Sequence, residues 1–427
     1  MNPVAIESHL KLVLVQWMVI VAAAWLFGRL GRKVGQPLAV GEILAGILLG
    51  PSALGMIWPA DWPALFPKET QQSLQLLGKL GLILLLFQVG MEFDYGHLRT
   101  RSRTVTAVSV MGIVAPFACG LLIGPWLHRE FAPELPRFGF QLFLCIALSI
   151  SALPIMGRIL LEMKLERTAI GAMGISAAAI DDVTGWVLLA LATALVTTGF
   201  DGWALARQIA GIVVFFFVLQ KMVGPALCAL WRRSAARRGA AALTPSFLVL
   251  LLLTLFASAL VSHALGIFSI FGAFLLGVSL HKEPALVRAW RERFSEFVLV
   301  AMVPIFFTNT GLNTEIGSLN TALEWLGFGA VLLAAVAGKL GGCYLGARLT
   351  GQPRRESACV AALMNTRALM ALVAINIGLD LNLLNRELFT MLVLMALVTT
   401  AMTGPLLRWW LPATLRPAEE EGLKPVN

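Results

Sequence analysis

Long apolar segments alternate with short polar loops along nearly the whole chain. A segment of about 20 mostly apolar residues is long enough to cross the hydrocarbon core of a bilayer as a helix. The pattern therefore predicts an all-α, polytopic membrane protein with about thirteen transmembrane helices. The predicted ranges are 11–28, 36–56, 73–92, 104–127, 138–160, 167–198, 205–230, 243–264, 266–281, 296–315, 321–348, 356–379 and 387–411.

The basic residues of the loops indicate how these helices are oriented. Loops rich in Lys and Arg alternate with poor ones: the first has Arg29, Arg32 and Lys33, whereas the second has only Lys68. Because basic residues collect in short cytoplasmic loops, we expect the odd-numbered loops and the C-terminus in the cytoplasm. The N-terminus is then outside, and the expected location is the plasma (inner) membrane, as a multi-pass protein.

The composition agrees with a membrane protein and argues against a nucleic-acid partner. Hydrophobic residues make up 58% of the chain and charged residues 13%, whereas soluble domains have about 25% charged residues. The net charge of +9 is explained by the basic loops. We expect one transmembrane transporter domain over 1–427, without a soluble regulatory domain. The cysteines have no metal-ligand spacing, so no cofactor is expected.

Two short motifs recur in the second half of the chain. GEILAGILL (41–49) matches GAFLLGVSL (272–280), and FQVGMEFD (87–94) loosely matches TNTGLNTE (308–315). Both pairs are seven predicted helices apart. Because seven is odd, the two copies would cross the membrane in opposite directions. Chance similarity and close helix packing at glycines are the alternatives.

An inverted repeat follows if the two matches are genuine. The halves would cover about 11–198 and 243–411, and the helix at about 205–230 would link them. Repeats of this kind are typical of secondary transporters, whose sites are built from interrupted helices near the middle of the membrane.

Two predicted helices contain polar residues that could mark such interruptions. The fifth contains Ser149 and Ser151 just before Pro154, which removes a backbone donor and disfavours helix at the preceding residue. The twelfth contains Asn365 and Arg367 among apolar residues. A simple kink is the alternative at Pro154. These polar residues are candidates for an ion pathway at the breaks.

Adjacent aspartates, Asp181 and Asp182, lie in the predicted sixth helix with no other charge between 168 and 196. A charge at the bilayer centre costs about 2.5–3.5 kcal/mol on insertion scales, and such residues usually mark ion or proton pathways. Lys339 is equally isolated in the eleventh helix. We expect it to be the charge partner of Asp181; a purely structural tie between the helices is the alternative.

A half-buried carboxylate can bind a proton or a bare cation but not both at once. Competition at Asp182 would exchange Na⁺ and/or K⁺ for protons if the site faces one side at a time. Ser176 and Thr184 could add oxygen ligands. The sequence therefore predicts a secondary antiporter rather than an enzyme, with monovalent cations, protons and the lipid bilayer as its partners.

Three other functions remain open at this level. An intramembrane aspartyl protease would need its two aspartates on different helices. A proton-uncoupled cation channel of the Kef kind would have similar spans, and so would a sodium-coupled organic-solute symporter. No P-loop, dinucleotide fingerprint or Gly-x-Ser-x-Gly motif is present.

Four segments together resemble the monovalent cation:proton antiporter superfamily, in the branch with bacterial Na⁺/H⁺ antiporters, Kef systems and plant CHX exchangers. They are GQPLAVGEILAGILLGPSALG (35–55), LGLILLLFQVGMEFD (80–94), AAAIDDVTGWVLLALATAL (177–195) and NTRALMALVAINIG (365–378).

The resemblance implies a homodimer in which a core domain moves against a dimer domain and two broken helices cross. It also implies that Asp182 binds the ion and the proton, that Asp181 is its companion, and that Lys339 is the intramembrane lysine of electrogenic members. CHX members often have Asn where this chain has Asp181, so the chain resembles the electrogenic type here.

Overall fold

The computed structural model describes residues 3–33, 36–60, 62–92, 98–197, 202–238, 243–267, 269–312, 319–367, 371, 374–375, 377–379 and 381–411. Every regular element in these residues is a helix. The α-helices are α1 (Pro3–Lys33), α2 (Leu38–Leu49), α3 (Leu54–Ile57), α4 (Trp62–Leu65), α5 (Lys68–Glu92), α6 (Leu98–Phe131), α7 (Arg137–Ser149), α8 (Leu153–Glu162), α9 (Ala169–Thr197), α10 (Gly202–Val218), α11 (Gly224–Arg238), α12 (Pro245–Ala264), α13 (Ser269–Leu280), α14 (Pro284–Trp290), α15 (Val303–Leu312), α16 (Ala322–Leu349), α17 (Arg354–Met364) and α18 (Arg386–Trp410). Short π-helical turns at Leu219–Val223, Arg291–Ser295 and Val298–Met302 join some of them.

Ten stretches within the described residues are long and apolar enough to cross a membrane. Two shorter apolar helices, Ser269–Leu280 and Val298–Asn309, accompany them. The prediction of an all-α, polytopic membrane protein is therefore confirmed, whereas the count of thirteen spans stays a prediction. The end of the predicted helix 356–379 is described only in part.

The outer surface of the bundle is apolar, as a lipid-facing surface must be. Met18, Leu122 and Leu333 are 65%, 79% and 69% exposed, each on a different long helix. Water would make such exposure unfavourable, whereas lipid makes it neutral. The charged residues that are instead buried inside the bundle include Asp181, Asp182, Lys339 and Arg367.

The four glycines of the two sequence matches form two close helix contacts. Gly46 of α2 packs against Gly311 of α15, and Gly277 of α13 packs against Gly90 of α5. A Cβ on any of the four would collide with the carbonyl oxygen three residues before the partner glycine. The two contacts thus have the same register. In one contact the first copy of the GEILAG motif meets the second copy of the FQVG motif, and in the other the second copy of the GEILAG motif meets the first copy of the FQVG motif. A repeat predicts this relationship; the inversion of its halves across the membrane stays a prediction.

Candidate functional site

The chain leaves the helical conformation at both predicted interruptions. Helix α7 ends at Ser149, the backbone is extended at Ile150 and Ala152, and α8 begins at Leu153. Pro154 lies in the first turn of α8, where its missing N–H removes no helical hydrogen bond. Helix α17 similarly ends at Met364. The polar residues predicted at these breaks are therefore next to free helix ends.

The two interruptions bind each other. The backbone N–H of Ala152 donates to the carbonyl oxygen of Thr366 at 2.7 Å. The Ser151 hydroxyl is 2.8 Å from the carbonyl oxygen of Met364. Each contact gives a partner to a backbone carbonyl that a continuous helix would have satisfied. The breaks are thus held together by hydrogen bonds at the centre of the bundle.

Asp181 of α9 and Lys339 of α16 form a buried ion pair beside the two interruptions. The Nζ of Lys339 lies 2.7 Å from Oδ2 of Asp181, and both side chains are almost fully buried. The same Nζ donates to the carbonyl oxygens of Gly112 at 2.8 Å and Ser149 at 2.6 Å. An ammonium has three N–H donors, so all three have acceptors.

Two serines complete the surroundings of the Asp181 carboxylate. The Ser109 hydroxyl of α6 donates to Oδ1 at 2.6 Å, and the Ser151 hydroxyl lies 3.1 Å from Oδ2. A hydroxyl has one proton, so Ser151 can donate either to Asp181 or to the carbonyl of Met364 at a given moment. Both oxygens of Asp181 therefore have donors.

Asp182 has a different environment although it is the next residue. Its side chain is 4% exposed, and its Oδ1 is buried without a hydrogen-bond partner among the described residues. The backbone N–H of Leu153, at the N-terminus of α8, lies near the carboxyl group. A helix N-terminus is electropositive and stabilises a carboxylate. Oδ1 of Asp182 is therefore a buried acceptor whose hydrogen-bonding capacity is not used by the described residues.

Arg367 follows the second break and is fully buried. Its guanidinium donates to the carbonyl oxygens of Ala147 and Leu148 in the last turn of α7, and to Ala335 of α16 at 2.7 Å. Lys339 binds the carbonyl of Ser149 in the same turn. Two cations thus cap the electronegative C-terminus of α7.

The remaining predicted site residues, Asn365, Ser176 and Thr184, have no hydrogen bond to the aspartates among the described residues. Asn365 is buried; its Nδ2 lies 3.5 Å from the carbonyl oxygen of Thr399. The oxygens Asn365 Oδ1 and Ser176 Oγ are buried without partners in the described part of the chain. Thr184 donates to the carbonyl of Ile180 in its own helix. Ion ligation by Ser176 and Thr184 stays a prediction.

The sequence analysis missed Ser109, Thr366 and the threonines of α18. Thr366 and Thr403 share a hydrogen bond of 3.0 Å, and Thr400 accepts from the backbone N–H of Arg367 at 3.3 Å. Single hydroxyls in apolar helices usually bond their own backbone, so they give little signal in a sequence. The spacing of Thr399, Thr400 and Thr403 on one helical face was the available clue.

A second buried charge cluster joins α8 to α2. Arg158 lies 2.6 Å from Oε1 of Glu42 and 2.9 Å from Oε1 of Glu162. Arg158 lies near the end of the predicted fifth helix, 138–160, and is 2% exposed. Because this pair lies one and a half turns from Leu153, α8 connects it directly to the Asp182 environment.

Comparison with known proteins gives consistent matches over nearly the full chain. Residues 18–413 match the family model described as "Sodium/hydrogen exchanger, transmembrane". The chain is 35% identical over 401 residues to the Na⁺/H⁺ antiporter NhaS4 of Synechocystis sp., covering 93% of this chain and 97% of that protein. It is 28% identical over 394 residues to the Na⁺/H⁺-K⁺ antiporter GerN of Bacillus cereus, covering 92% and 95%.

A longer relative and a solved structure extend the comparison. The chain is 35% identical over 411 residues to cation/H⁺ antiporter 20 of Arabidopsis thaliana, covering 92% of this chain but only 48% of that protein. The chain thus spans about half the length of this plant relative. The sodium proton antiporter MjNhaP1 of Methanocaldococcus jannaschii has a similar fold, with a TM-score of 0.61, 13% identity and coverage of 94% and 97%.

Proposed function

The chain belongs to the family of transmembrane sodium/hydrogen exchangers, and from this premise we propose that it exchanges Na⁺ or K⁺ for protons at Asp182. Family membership also confirms that it is a transporter and not an enzyme. Its relatives include proteins named as Na⁺/H⁺, K⁺/H⁺ and cation/H⁺ antiporters, which supports a monovalent cation as the substrate class.

The contrast between the two adjacent carboxylates carries the proposal. Asp181 has donors from Ser109, Ser151 and Lys339 within hydrogen-bonding distance, whereas Oδ1 of Asp182 is buried with no partner among the described residues. A buried oxygen without a donor is unfavourable, and binding of a proton or a cation there removes that penalty. Asp182 is thus the carboxylate that is free to exchange ligands.

Competition at one carboxylate couples the two ions. A proton bound to Asp182 cancels the charge that would attract Na⁺ or K⁺, and a bound cation excludes the proton. Alkali cations prefer oxygen ligands, and Asn365 Oδ1 and Ser176 Oγ are further buried oxygens without a hydrogen bond in the described part of the chain. Exchange follows if the loaded site moves between the two sides of the membrane.

Asp181 serves in this proposal as the fixed partner of Lys339. The pair keeps the Lys339 ammonium on Asp181, so it does not occupy the free oxygen of Asp182. As in the electrogenic members that the sequence resembles, we propose net charge movement in each cycle. A homodimer in the plasma membrane, inverted halves, an outside N-terminus and a core domain that moves against a dimer domain belong to the same proposal.

Transport in proteoliposomes tests the role of Asp182. A pH gradient imposed on vesicles that contain the purified protein should drive Na⁺ or K⁺ movement, and Asp182→Asn should abolish it. Glu7→Gln, at an exposed position on α1, is the matched control and should transport normally. Normal exchange by Asp182→Asn would refute the assignment, and cation flux without proton movement would indicate a channel instead.

A further inference from the structure

A proline in the middle of α6 leaves one backbone carbonyl without its helical donor. Pro116 lies within the continuous helix Leu98–Phe131. Because proline has no N–H, the carbonyl four residues earlier, that of Gly112, loses its intrahelical hydrogen bond. The Gly112 oxygen accepts from Nζ of Lys339 at 2.8 Å instead. The proline thus provides an acceptor for the buried ammonium.

The absence of a side chain at Gly112 lets α16 pack closely against α6. A Cβ at this position would fall 2.7 Å from Sγ of Cys343 and 3.6 Å from Nζ of Lys339. Close approach of the two helices depends on Gly338 as well, because a Cβ there would fall 2.6 Å from Cα of Pro116. Helix α16 can therefore bring Lys339 onto the backbone of α6.

The same face of α6 also binds the other partner of the ion pair. Ser109 precedes Gly112 by three residues, so the two lie on one side of the helix. The Ser109 hydroxyl donates to Oδ1 of Asp181 at 2.6 Å and is itself buried. One helix thus gives a donor to the carboxylate and an acceptor to the ammonium.

We propose that Ser109, Gly112 and Pro116 form a cradle on α6 that selects Asp181 as the partner of Lys339. Asp182 is the next residue and the lysine side chain is flexible, so further contacts must favour its ion pair with Asp181 over one with Asp182. The cradle holds both Asp181 and the ammonium in place and leaves Asp182 free. Its role in transport rests on the function proposed above, whereas its effect on the ion pair can be measured separately.

Thermal stability of purified variants tests the cradle without any transport assay. Pro116→Ala restores the N–H that competes with Lys339 for the Gly112 carbonyl. Its effect on Tm is compared between the wild-type chain and the charge-free variant Asp181→Asn/Lys339→Met. The loss of the proline ring is common to both backgrounds, so the difference between them isolates the interaction with the ion pair.

We expect Pro116→Ala to be less favourable for Tm, by several degrees, in the wild-type background than in the charge-free one. Pro125→Ala is the matched control, because Pro125 lies in the same helix at an exposed position. It should change Tm equally in both backgrounds. Equal changes for Pro116→Ala in the two backgrounds would overturn the proposal.

The apparent affinity for Na⁺ tests what the cradle does in transport. Ser109→Ala should free Asp181 and let Lys339 approach Asp182, so KM for Na⁺ should rise several-fold with a smaller change in maximal rate. Ser109→Thr keeps the hydroxyl and should restore KM. A KM unchanged by Ser109→Ala, or equal in the two variants, would refute this role. If even the wild-type protein moves no cation, the proposed function fails while the Tm comparison still decides the cradle.

Discussion

Asp181 and Asp182 are adjacent in α9, yet both oxygens of Asp181 have donors, whereas Oδ1 of Asp182 is buried without a hydrogen-bond partner among the described residues. Neighbouring side chains on a helix point about 100° apart, so the two face different surroundings. Asp181 points to α6 and Lys339, whereas the N-terminus of α8 meets Asp182. The division of roles between them therefore follows from helix geometry.

The ion pair should be more sensitive to the loss of one partner than to the loss of both. Lys339→Ala leaves Asp181 as a buried charge without its cation, which we expect to destabilise the protein by about 3–5 kcal/mol. The double variant Asp181→Asn/Lys339→Met removes both charges and should recover much of that loss. Thermal unfolding in detergent measures both effects.

An exposed ion pair gives the matched comparison. Arg129 and Glu130 lie 3.0 Å apart, and the arginine side chain is 77% exposed. Arg129→Ala should change stability by less than about 1 kcal/mol, because solvent screens such pairs. If Lys339→Ala is as mild as Arg129→Ala, the Asp181–Lys339 pair is not the buried interaction described above.

Replacing Arg367 with a neutral residue should lower stability and exchange rate, and lysine should restore them only in part. Arg367→Met leaves the carbonyls of Ala147 and Leu148, at the C-terminus of α7, without their donor, at about 1–3 kcal/mol for each buried group left unpaired. Arg367→Lys keeps the charge but loses the planar fork that reaches two helices. We expect stability and exchange rate to fall in the order wild type, Lys variant, Met variant.

The same order in transport would link the α7 cap to the site, because Ser149 at the end of that helix also binds Lys339. A lysine variant with wild-type stability and rate would show that the fork geometry is unimportant. A methionine variant that keeps full stability would contradict the cap itself. Both variants can be compared by Tm before any vesicles are made.

Alanine substitutions at two helical glycines, one closely packed and one not, should change stability in opposite directions. Gly46→Ala introduces a Cβ that collides with a backbone carbonyl of α15, so it should destabilise by about 1–3 kcal/mol or more. Gly329→Ala in α16 has no atom within 4 Å of the new Cβ and should stabilise by up to about 1 kcal/mol. Equal effects of the two substitutions would contradict the close contact.

The fold class was predictable because a membrane imposes a strong length and composition rule on helices. Asp181, Asp182 and Lys339 stood out as isolated charges in apolar sequence, and the structure brings Asp181 and Lys339 together. The Gly112 carbonyl and the Ser109 hydroxyl could not be found that way. Their contribution depends on which face of α6 meets α16, and no spacing within one helix contains that information.

Arg158 is a second residue whose contacts with another helix could not be predicted from the sequence. Near the end of a predicted span, a basic residue looks like a loop charge, and it counts towards membrane orientation. Its burial against Glu42 becomes visible only when α8 is placed beside α2. Pairing across helices thus decides whether a charge is a topological signal or part of the interior.

Competition between the two ions at Asp182 predicts a specific kinetic pattern. As the pH falls, protons occupy a larger share of the carboxylate, so KM for Na⁺ or K⁺ should rise while the maximal rate at saturating cation stays nearly constant. Initial rates in proteoliposomes at several pH values and cation concentrations measure both parameters.

Ser176→Ala removes a buried hydroxyl that has no partner in the described residues. If that hydroxyl is an ion ligand, the variant should raise KM at every pH without removing the competition. A maximal rate that falls with pH at constant KM would contradict exchange at one shared carboxylate.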